Sequence, residues 1–416
     1  MTPVLAPQDA IEVAATIGFG IARRALWSGE RCTWFDAIPT MPVQNPATST
    51  TSASDLYGGT SGIGLFLAQA ATRSGDALLR RTARGALRQA AARAGEHAAA
   101  VPHGFYGGGA GVGAALVLAG NELGDAEAVA AGRALLLDVP TDAAIPDVTD
   151  IIAGIAGTVV ALVLASDALG GDDALLARAG AFAERLLARG ERDARGTLSW
   201  HTLGDKRANL TGFAHGTAGI AHALLLLDAL KPDAALRDAA AGAFAYEAAT
   251  FDATQANWPD YRLMPGQPPG PVGYPVAWCH GAAGIVRSRL FAEARGGFQV
   301  AADIEAGLGT TARYAEQWYR VPNADFTACH GVFGLVDTLL DGVRSGRPYA
   351  AVLGRIVAYA TDCFHRGERA WPSGLLTHEE IGGLMLGNAG IGHVYLRLAD
   401  PTLGSLLAPV PQHMTA

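Results

Sequence analysis

The sequence predicts an all-α fold, an α/α-toroid in which about seven inner helices are surrounded by about seven outer helices. Two observations lead to this prediction: a Gly-x-x-Gly element recurs seven times in 416 residues, and apolar segments alternate with amphipathic ones. Helices that are apolar on all sides are buried, and amphipathic helices cover them. Repeats at this spacing indicate stacked helical units, so we predict one domain over residues 1–416.

The Gly-x-x-Gly elements recur every 46 to 65 residues. They are Gly59-Thr-Ser-Gly62, Gly108-Gly-Ala-Gly111, Gly154-Ile-Ala-Gly157, Gly216-Thr-Ala-Gly219, Gly281-Ala-Ala-Gly284, Gly331-Val-Phe-Gly334 and Gly387-Asn-Ala-Gly390. Each leads into a mostly uncharged segment, such as IGLFLAQAA, that we expect to be an inner helix. Glycine lets the backbone turn sharply and pack closely, so the elements should start these helices and face one shared cavity.

Segments with charged residues at helical spacing precede the first element or lie between successive elements, and we expect them to be the outer helices. The clearest are Asp9–Trp27, Asp76–His97, Asp173–Arg189, Asp233–Thr250, Val300–Trp318 and Tyr349–His365. Two stretches rich in Pro, Gly, Thr or Ser, Asp36–Tyr57 and Asp252–Ala277, are expected to be loops, and the second should border the site. An open helical solenoid is the alternative arrangement of the same helices.

The composition argues against several functional classes. With 31 Lys+Arg against 39 Asp+Glu, the net charge is -8, which does not favour a general nucleic-acid binder. The longest apolar run, Ile151–Ala165, has 15 residues. This is short of the ~20 that span a bilayer, so we expect no transmembrane segment.

The N-terminus and the numbers of cysteine and lysine residues indicate the cellular compartment of the protein and the type of organism that encodes it. The N-terminal residues lack the basic region of a signal peptide, and four cysteines are too few for a disulfide scaffold. We therefore predict a cytoplasmic protein with reduced thiols. Only two of the 31 basic residues are lysines, which indicates GC-rich codon usage and a bacterial source.

Two of the seven elements directly follow a Cys-His pair, Cys279-His280 and Cys329-His330, 50 residues apart. Thiolate and imidazole are ligands that suit Zn²⁺, whereas buried thiols or a disulfide are the alternative. Four ligands would make a closed structural site, and three would leave a position for water or substrate. Because adjacent residues rarely both reach one metal, geometry favours an open three-ligand site for one Zn²⁺ per chain.

Two further residues are candidates for catalysis. His215 lies in GFAHGTAGI, directly before the fourth element, and Asp150 lies four residues before the third. Histidine carries protons near neutral pH, and a carboxylate can orient it, so the two residues could act together at the cavity mouth. The alternatives are a helix-start hydrogen bond for His215 and an N-terminal cap for Asp150.

These motifs resemble those of the lanthionine synthetase C-like family, which contains lanthipeptide cyclases and their eukaryotic relatives. The resemblance rests on GFAHGTAG, WCHGAAG, ACHGVFG and GLMLGNAGIGHVYLRLADP, and it covers nearly the whole chain. It implies a double α-barrel with a central zinc ion held by Cys279, Cys329 and His330. A water molecule or a substrate thiol would take the fourth position.

The resemblance also implies further roles. His215 matches the acid/base histidine of the family and Asp150 its nearby aspartate, while Trp278 and His280 match positions beside the first cysteine ligand and are expected to contact substrate. Some bacterial cyclases carry Tyr where this chain has His280, as eukaryotic members do. Bacterial members can also carry Arg four residues before that cysteine, where this chain has Pro275.

The implied activity is thioether formation. A cyclase of this family adds peptide cysteine thiols to dehydroalanine or dehydrobutyrine, which forms the lanthionine or methyllanthionine rings of antibiotic peptides. The expected partners are a dehydrated precursor peptide and a separate dehydratase, since no segment resembles a kinase, lyase or nucleotide-binding domain. Three alternatives stay open: addition of glutathione to dehydrated residues, a zinc-containing peptide-binding scaffold without turnover, and a toroid like protein prenyltransferases, whose ligands are Asp, Cys and His.

Overall fold

A computed structural model describes residues 4–38, 48–141, 148–263, 270–373 and 380–414. Within these ranges the chain forms fourteen α-helices, in two sets of seven. The inner helices are α2 (Thr60–Ser74), α4 (Gly109–Leu123), α6 (Ile155–Ala168), α8 (Thr217–Leu230), α10 (Ala282–Arg295), α12 (Val332–Arg344) and α14 (Asn388–Ala399). The outer helices are α1 (Pro7–Arg23), α3 (Ala77–Ala100), α5 (Ala126–Leu137), α7 (Asp173–Arg189), α9 (Ala234–Thr250), α11 (Ala301–Trp318) and α13 (Ala350–Ala360).

The inner helices form a closed ring. Each packs against the next in chain order, and α14 packs against both α2 and α1. Burial separates the two layers: the first twelve residues of α6 are all buried, whereas α7 buries a single stripe of residues. The predicted α/α-toroid is therefore confirmed, and an open solenoid is excluded.

The structure corrects parts of the sequence interpretation. The segment Asp9–Trp27 is helical only to Arg23, and Trp27 belongs to β1 (Leu26–Ser28), which pairs with β2 (Arg31–Thr33). A π-helical turn, Thr361–Arg366, follows α13. The outer helix α5 is not among the segments expected from the sequence. Another two-stranded antiparallel ribbon joins β5 (Glu191–Arg192) to β6 (Leu198–Ser199).

The two expected loops differ in outcome. The expectation for Asp36–Tyr57 is wrong in part, because β3 (Phe35–Ile38) pairs antiparallel with β4 (Thr48–Thr51), and residues 39–47 lie outside the described residues. In Asp252–Ala277 the described residues form isolated bridges but no helix or extended strand, and 264–269 lie outside the described residues. Nowhere in the described ranges is there a helix with the length and hydropathy to cross a membrane.

Seven short segments, which we call the repeat loops, precede the inner helices. They span residues 55–59, 104–108, 150–154, 212–216, 277–281, 327–331 and 383–387. The first glycine of each pair ends its loop, and the second lies inside the helix. A Cβ on the second glycine would come within 1.7 to 2.2 Å of the carbonyl oxygen of the residue six positions earlier. Only glycine therefore allows each loop to fold back against its helix.

Backbone hydrogen bonds join neighbouring repeat loops around the ring. Met385 donates its N–H to the carbonyl oxygen of Tyr57 (2.8 Å), and Tyr57 donates to Tyr106 (2.9 Å), so the seventh loop closes onto the first. Similar bonds join the second loop to the third, the third to the fourth, the fourth to the fifth and the sixth to the seventh. Among the described residues, no such bond joins the fifth and sixth loops, which carry Cys279 and Cys329.

A C-terminal segment, residues 403–412, fills the space inside the inner ring, and we call it the tail. The Tyr106 hydroxyl donates to the carbonyl oxygen of Leu406 (2.7 Å), and Trp278 Nε1 donates to that of Leu407 (2.5 Å). Both donors belong to repeat loops. The tail therefore stabilises the second and fifth repeat loops through its carbonyl oxygens.

A buried ion network ties the tail to three inner helices. Arg287 and Arg397 each pair with both Asp337 and Asp341, and the Ser405 hydroxyl of the tail donates to Asp337 (2.5 Å). Burial opposes ionisation of Asp337, but the charges of Arg397 and Arg287 hold its pKa well below the usual range. Because every charge has a partner, the network can be accommodated in the core.

We predict that Gly219→Ala will strongly destabilise the protein, whereas Gly354→Ala will stabilise it slightly. A Cβ at position 219 would lie 2.0 Å from the Phe213 carbonyl oxygen, while nothing lies within 4 Å of one at position 354 in α13. The first change should lower the free energy of unfolding by at least about 3 kcal/mol, and the second should raise it by about 0.5–1 kcal/mol. Urea-induced unfolding measures both. Equal stability of the two variants would contradict the packing of the repeat loops.

Candidate active site

The fourth, fifth and sixth repeat loops carry histidine at the same position. His215, His280 and His330 each directly precede the first glycine of an element, and Cys279 and Cys329 each lie one residue earlier. Equivalent positions of a closed ring face the same mouth. The structure therefore brings the candidate ligands and the candidate acid/base histidine to one end of the toroid.

Cys279 and Cys329 are free thiols, and their side chains meet. The Cys329 thiol donates to the sulfur of Cys279. This bond, together with the charges of His330 and Arg262, lowers the pKa of Cys279 from 9.0 to about 7 despite its burial. The same bond and burial raise the pKa of Cys329 far above its usual range. The thiol contact thus lies where the ring of backbone hydrogen bonds is open.

His330 is held by a carboxylate. Its Nδ1–H donates to Asp325 Oδ2 (2.5 Å), which raises the pKa of His330, and the ring is 41% exposed. A histidine whose Nδ1 binds a carboxylate presents Nε2 for a metal, and this arrangement is typical of histidine ligands. The donor set of two sulfurs and one imidazole therefore fits Zn²⁺ chemically.

The described residues contain no group of three or more His, Cys, Asp or Glu side chains already arranged around a metal position. The two thiols are joined by a hydrogen bond, and the Tyr57 hydroxyl donates to Cys329 Sγ (3.1 Å). The three-ligand zinc site of Cys279, Cys329 and His330 stays a prediction.

His215 and Asp150 form a direct pair. The Nδ1–H of His215 donates to Asp150 Oδ2 (2.6 Å), and the carboxylate is almost completely buried. The other oxygen, Oδ1, accepts the N–H of Ala153 (2.9 Å), so Asp150 caps its own loop turn, while Gly154 precedes the helix. Asp150 is thus both a turn cap and the orienting partner of His215.

The two residues beside Cys279 are both buried. Trp278 packs edge-on against Tyr106, with ring centroids 4.9 Å apart, and its indole binds the tail. This position favours support of the Cys279 loop over contact with a substrate. His280 lies against His215, with centroids 5.8 Å apart, and neither of its nitrogens has a hydrogen-bond partner among the described residues. Burial, and then the charge of Arg262, lower the pKa of His280 to about 3.

Sequence reasoning missed three side chains of this site: Tyr57, Asp325 and Arg262. Tyr57 occupies the cysteine position of the first repeat, so alignment of the repeats could have identified it. Asp325 lies five residues before His330, and the equivalent position of the fifth repeat is Pro275, so no repeated pattern marks it. Arg262 lies on the long loop 252–277, where a double hydrogen bond to Asp260 holds its guanidinium. This loop supplies a positive charge near Cys279, as expected of a segment that borders the site.

The comparisons with known proteins identify the family. The family model described as lanthionine synthetase C-like protein matches residues 51–412, most of the chain. The chain belongs to this family. None of the curated proteins matches it in sequence.

Two solved structures show the same fold. Nisin cyclase is 16% identical, with a TM-score of 0.59 over 83% of this chain and 88% of that chain. A GH76 α-mannanase of Bacteroides thetaiotaomicron is 12% identical, with a TM-score of 0.51 over 95% and 96%. At these identities the likeness shows the toroid alone, and a shared fold does not by itself define a function.

We predict that Cys279 is the most reactive thiol of the zinc-free protein. Its alkylation by iodoacetamide should increase with pH around a midpoint near 7, because its pKa is lowered to about 7, whereas Cys32, with a pKa raised to about 12, should stay unreactive. Peptide mapping by mass spectrometry between about pH 5 and pH 10 measures both. Arg262→Gln should move the midpoint upward, and Arg207→Gln should leave it unchanged. A midpoint near that of an ordinary thiol would contradict this electrostatic description.

Proposed function

We propose that the protein is a zinc-dependent lanthipeptide cyclase, which adds cysteine thiols of a peptide to dehydroalanine or dehydrobutyrine residues of the same peptide. The proposal rests mainly on one observation: two adjoining thiols, a carboxylate-held His330 and the His215–Asp150 pair lie on neighbouring repeat loops. Membership of the lanthionine synthetase C-like family and the fold shared with nisin cyclase support it.

Cys279, Cys329 and His330 would hold the metal. Two thiolates balance the double charge of Zn²⁺, and three protein ligands leave a position for an incoming sulfur. When bound, the ion would supply the positive charge that keeps a peptide thiol deprotonated near neutral pH. Asp325 fixes the ring of His330, and Tyr57 donates to one sulfur, so this chain already orients two of the three ligands.

The reaction adds a thiol across the C=C bond of a dehydrated residue, so the peptide neither gains nor loses atoms. The thiolate sulfur forms a bond to the β-carbon of the dehydrated residue, and the π-electron pair moves toward the carbonyl to give an enolate. A proton is then added at the α-carbon, which replaces the proton lost by the thiol. We assign this transfer to His215, because Asp150 holds Nδ1 and leaves Nε2 for the substrate.

Two neighbouring residues favour this transfer. Arg262 places a positive charge near the sulfurs, where the enolate forms, and Asp260 keeps the guanidinium in position. The lowered pKa of His280 keeps that ring neutral, so it adds no charge beside His215 and does not compete for the proton.

The substrate of this reaction must arrive dehydrated. A separate enzyme that removes water from serine or threonine would supply it, which agrees with the expected partners, a precursor peptide and a dehydratase. All four cysteines are free in the structure, which supports the proposed cytoplasmic, reducing compartment.

We predict that His215→Ala will slow ring formation by about 10²- to 10⁴-fold with zinc content unchanged, whereas Cys329→Ala will lose the metal. Zinc is measured by elemental mass spectrometry. Cyclisation is measured by thiol alkylation of a dehydrated peptide, since ring formation leaves the mass unchanged but consumes the thiol. His413→Ala is the matched control, because His413 forms a similar pair with Asp167 at an exposed position (2.6 Å).

Wild-type cyclisation by both the His215→Ala and Cys329→Ala variants would contradict this mechanism. Addition of free glutathione to a dehydroalanine peptide without cysteine, at a rate equal to cyclisation, would instead favour the glutathione-adding activity.

We predict that Asp325→Asn will weaken zinc binding by about 10- to 100-fold, because an amide is a poorer acceptor for His330 than a carboxylate. Competition with a chromogenic chelator measures the affinity. Asp362→Asn, which changes an exposed carboxylate paired with Arg366, should leave the affinity unchanged. Equal zinc affinity of the two variants would show that Asp325 does not support a metal ligand.

A further inference from the structure

A groove on the outer surface of the toroid is lined by arginines, although the protein carries a net charge of -8. Two adjoining cavities of about 490 and 390 Å³ lie along α3, and both include Glu30, Arg84 and Arg88 in their walls. We call them together the arginine groove. Its basic residues are Arg31, Arg80, Arg81, Arg84 and Arg88. Its acidic residues are Glu30, Asp125 and Glu127.

The arginines of the groove are poorly neutralised. Within the part of the chain that the structure describes, Arg31, Arg80 and Arg81 form no ion pair. Arg84 lies 3.6 Å from Asp125, and the partner of Arg88 is Glu30, whose side chain is 80% exposed. The Arg84 and Arg88 side chains are 40% and 42% exposed. Ion pairs of exposed guanidinium groups are weak, so another anion can compete for both.

The placement of these residues is unfavourable for the helix itself. Arg80, Arg84 and Arg88 follow one another at intervals of four on α3, and like charges at this spacing repel. Arg80 and Arg81 lie close to the positive end of the helix, which begins at Ala77, and this also destabilises it. A bound anionic partner would relieve both effects.

The remaining lining suits a peptide. The floor is apolar and consists of Leu87, Ala91, Ala92, Leu116, Ala128 and Ala131. At one end Trp27 lies under Arg81, with the guanidinium 4.7 Å from the ring centroid, and remains 37% exposed. Successive arginines are separated by about 6 Å along the helix, close to the ~6.6 Å between alternate residues of an extended chain.

We propose that the arginine groove binds an acidic, extended segment of the peptide substrate, outside the part that carries the reacting residues. This inference rests on the proposed cyclase function. α3 leads into the second repeat loop, and its end at Ala100 is twelve residues beyond Arg88, about 18 Å of helix. The acidic segment must therefore be separated from the reacting residues by at least about six extended residues.

The test uses fluorescein-labelled twelve-residue peptides of alternating Glu and Ala, or of Gln and Ala, and measures anisotropy with zinc-chelated protein. The Glu peptide should bind at least tenfold more tightly than the Gln peptide and weaken with salt. Arg80→Gln/Arg88→Gln should lose about tenfold in affinity. The control double variant, Arg93→Gln/Arg366→Gln, removes the same number of positive charges outside the groove. It should bind the Glu peptide as tightly as the wild type does. Equal binding of the two peptides, or equal loss in the control, would overturn the proposal.

A thymidine dodecanucleotide serves as the competing anion. If this oligonucleotide binds the groove more tightly than the Glu peptide does, the ligand of the groove is a nucleic acid and the proposed peptide is wrong. In cyclisation assays, a substrate with the acidic segment should show a KM raised about tenfold by Arg80→Gln/Arg88→Gln at unchanged kcat. Binding without any cyclisation by the wild type would refute the proposed function alone, and cyclisation with equal KM in both double variants would refute the groove alone.

Discussion

The structure depends on one backbone contact that occurs seven times. In each repeat the second glycine lies against a carbonyl oxygen of its own loop, too close for any side chain. This contact folds the loop across the start of its inner helix and brings its N–H and C=O groups to the neighbouring loop. The ring of loops then presents equivalent positions to one mouth. A few side-chain types at those positions are sufficient to build a site.

The chemistry is concentrated on one side of this symmetric frame. Asp150, His215, Cys279 and Cys329 come from the third to the sixth loops. The cysteine position of every other loop carries an apolar or aromatic residue, and in the first loop this residue is Tyr57, which donates to one of the sulfurs. In the part of the chain that the structure describes, no backbone hydrogen bond joins the fifth and sixth loops, and their thiols are in contact. A metal bound between them would therefore join the two loops that the protein frame leaves apart.

The repeat pattern predicted the toroid and the seven inner helices, because glycine spacing and apolar patterning are local properties of the sequence. It also predicted that His215 and Asp150 lie at the same mouth, and the structure shows them in contact. Local patterns did not reveal the contribution of Arg262, because it comes from an irregular loop whose path is set by tertiary contacts. Burial of Trp278 beneath the mouth was missed for the same reason: its partner, Leu407, is far away in sequence.

The tail has a consequence for biosynthesis. It occupies the centre of the ring, yet it follows all fourteen helices in the chain, and its carbonyl oxygens receive the buried donors of Tyr106 and Trp278. While the ribosome is still translating α14, those donors and the charges around Asp337 have no tail to contact. A nascent chain can form pairs of helices one after another. The tail can pack inside the ring only after residues 403–412 have left the exit tunnel.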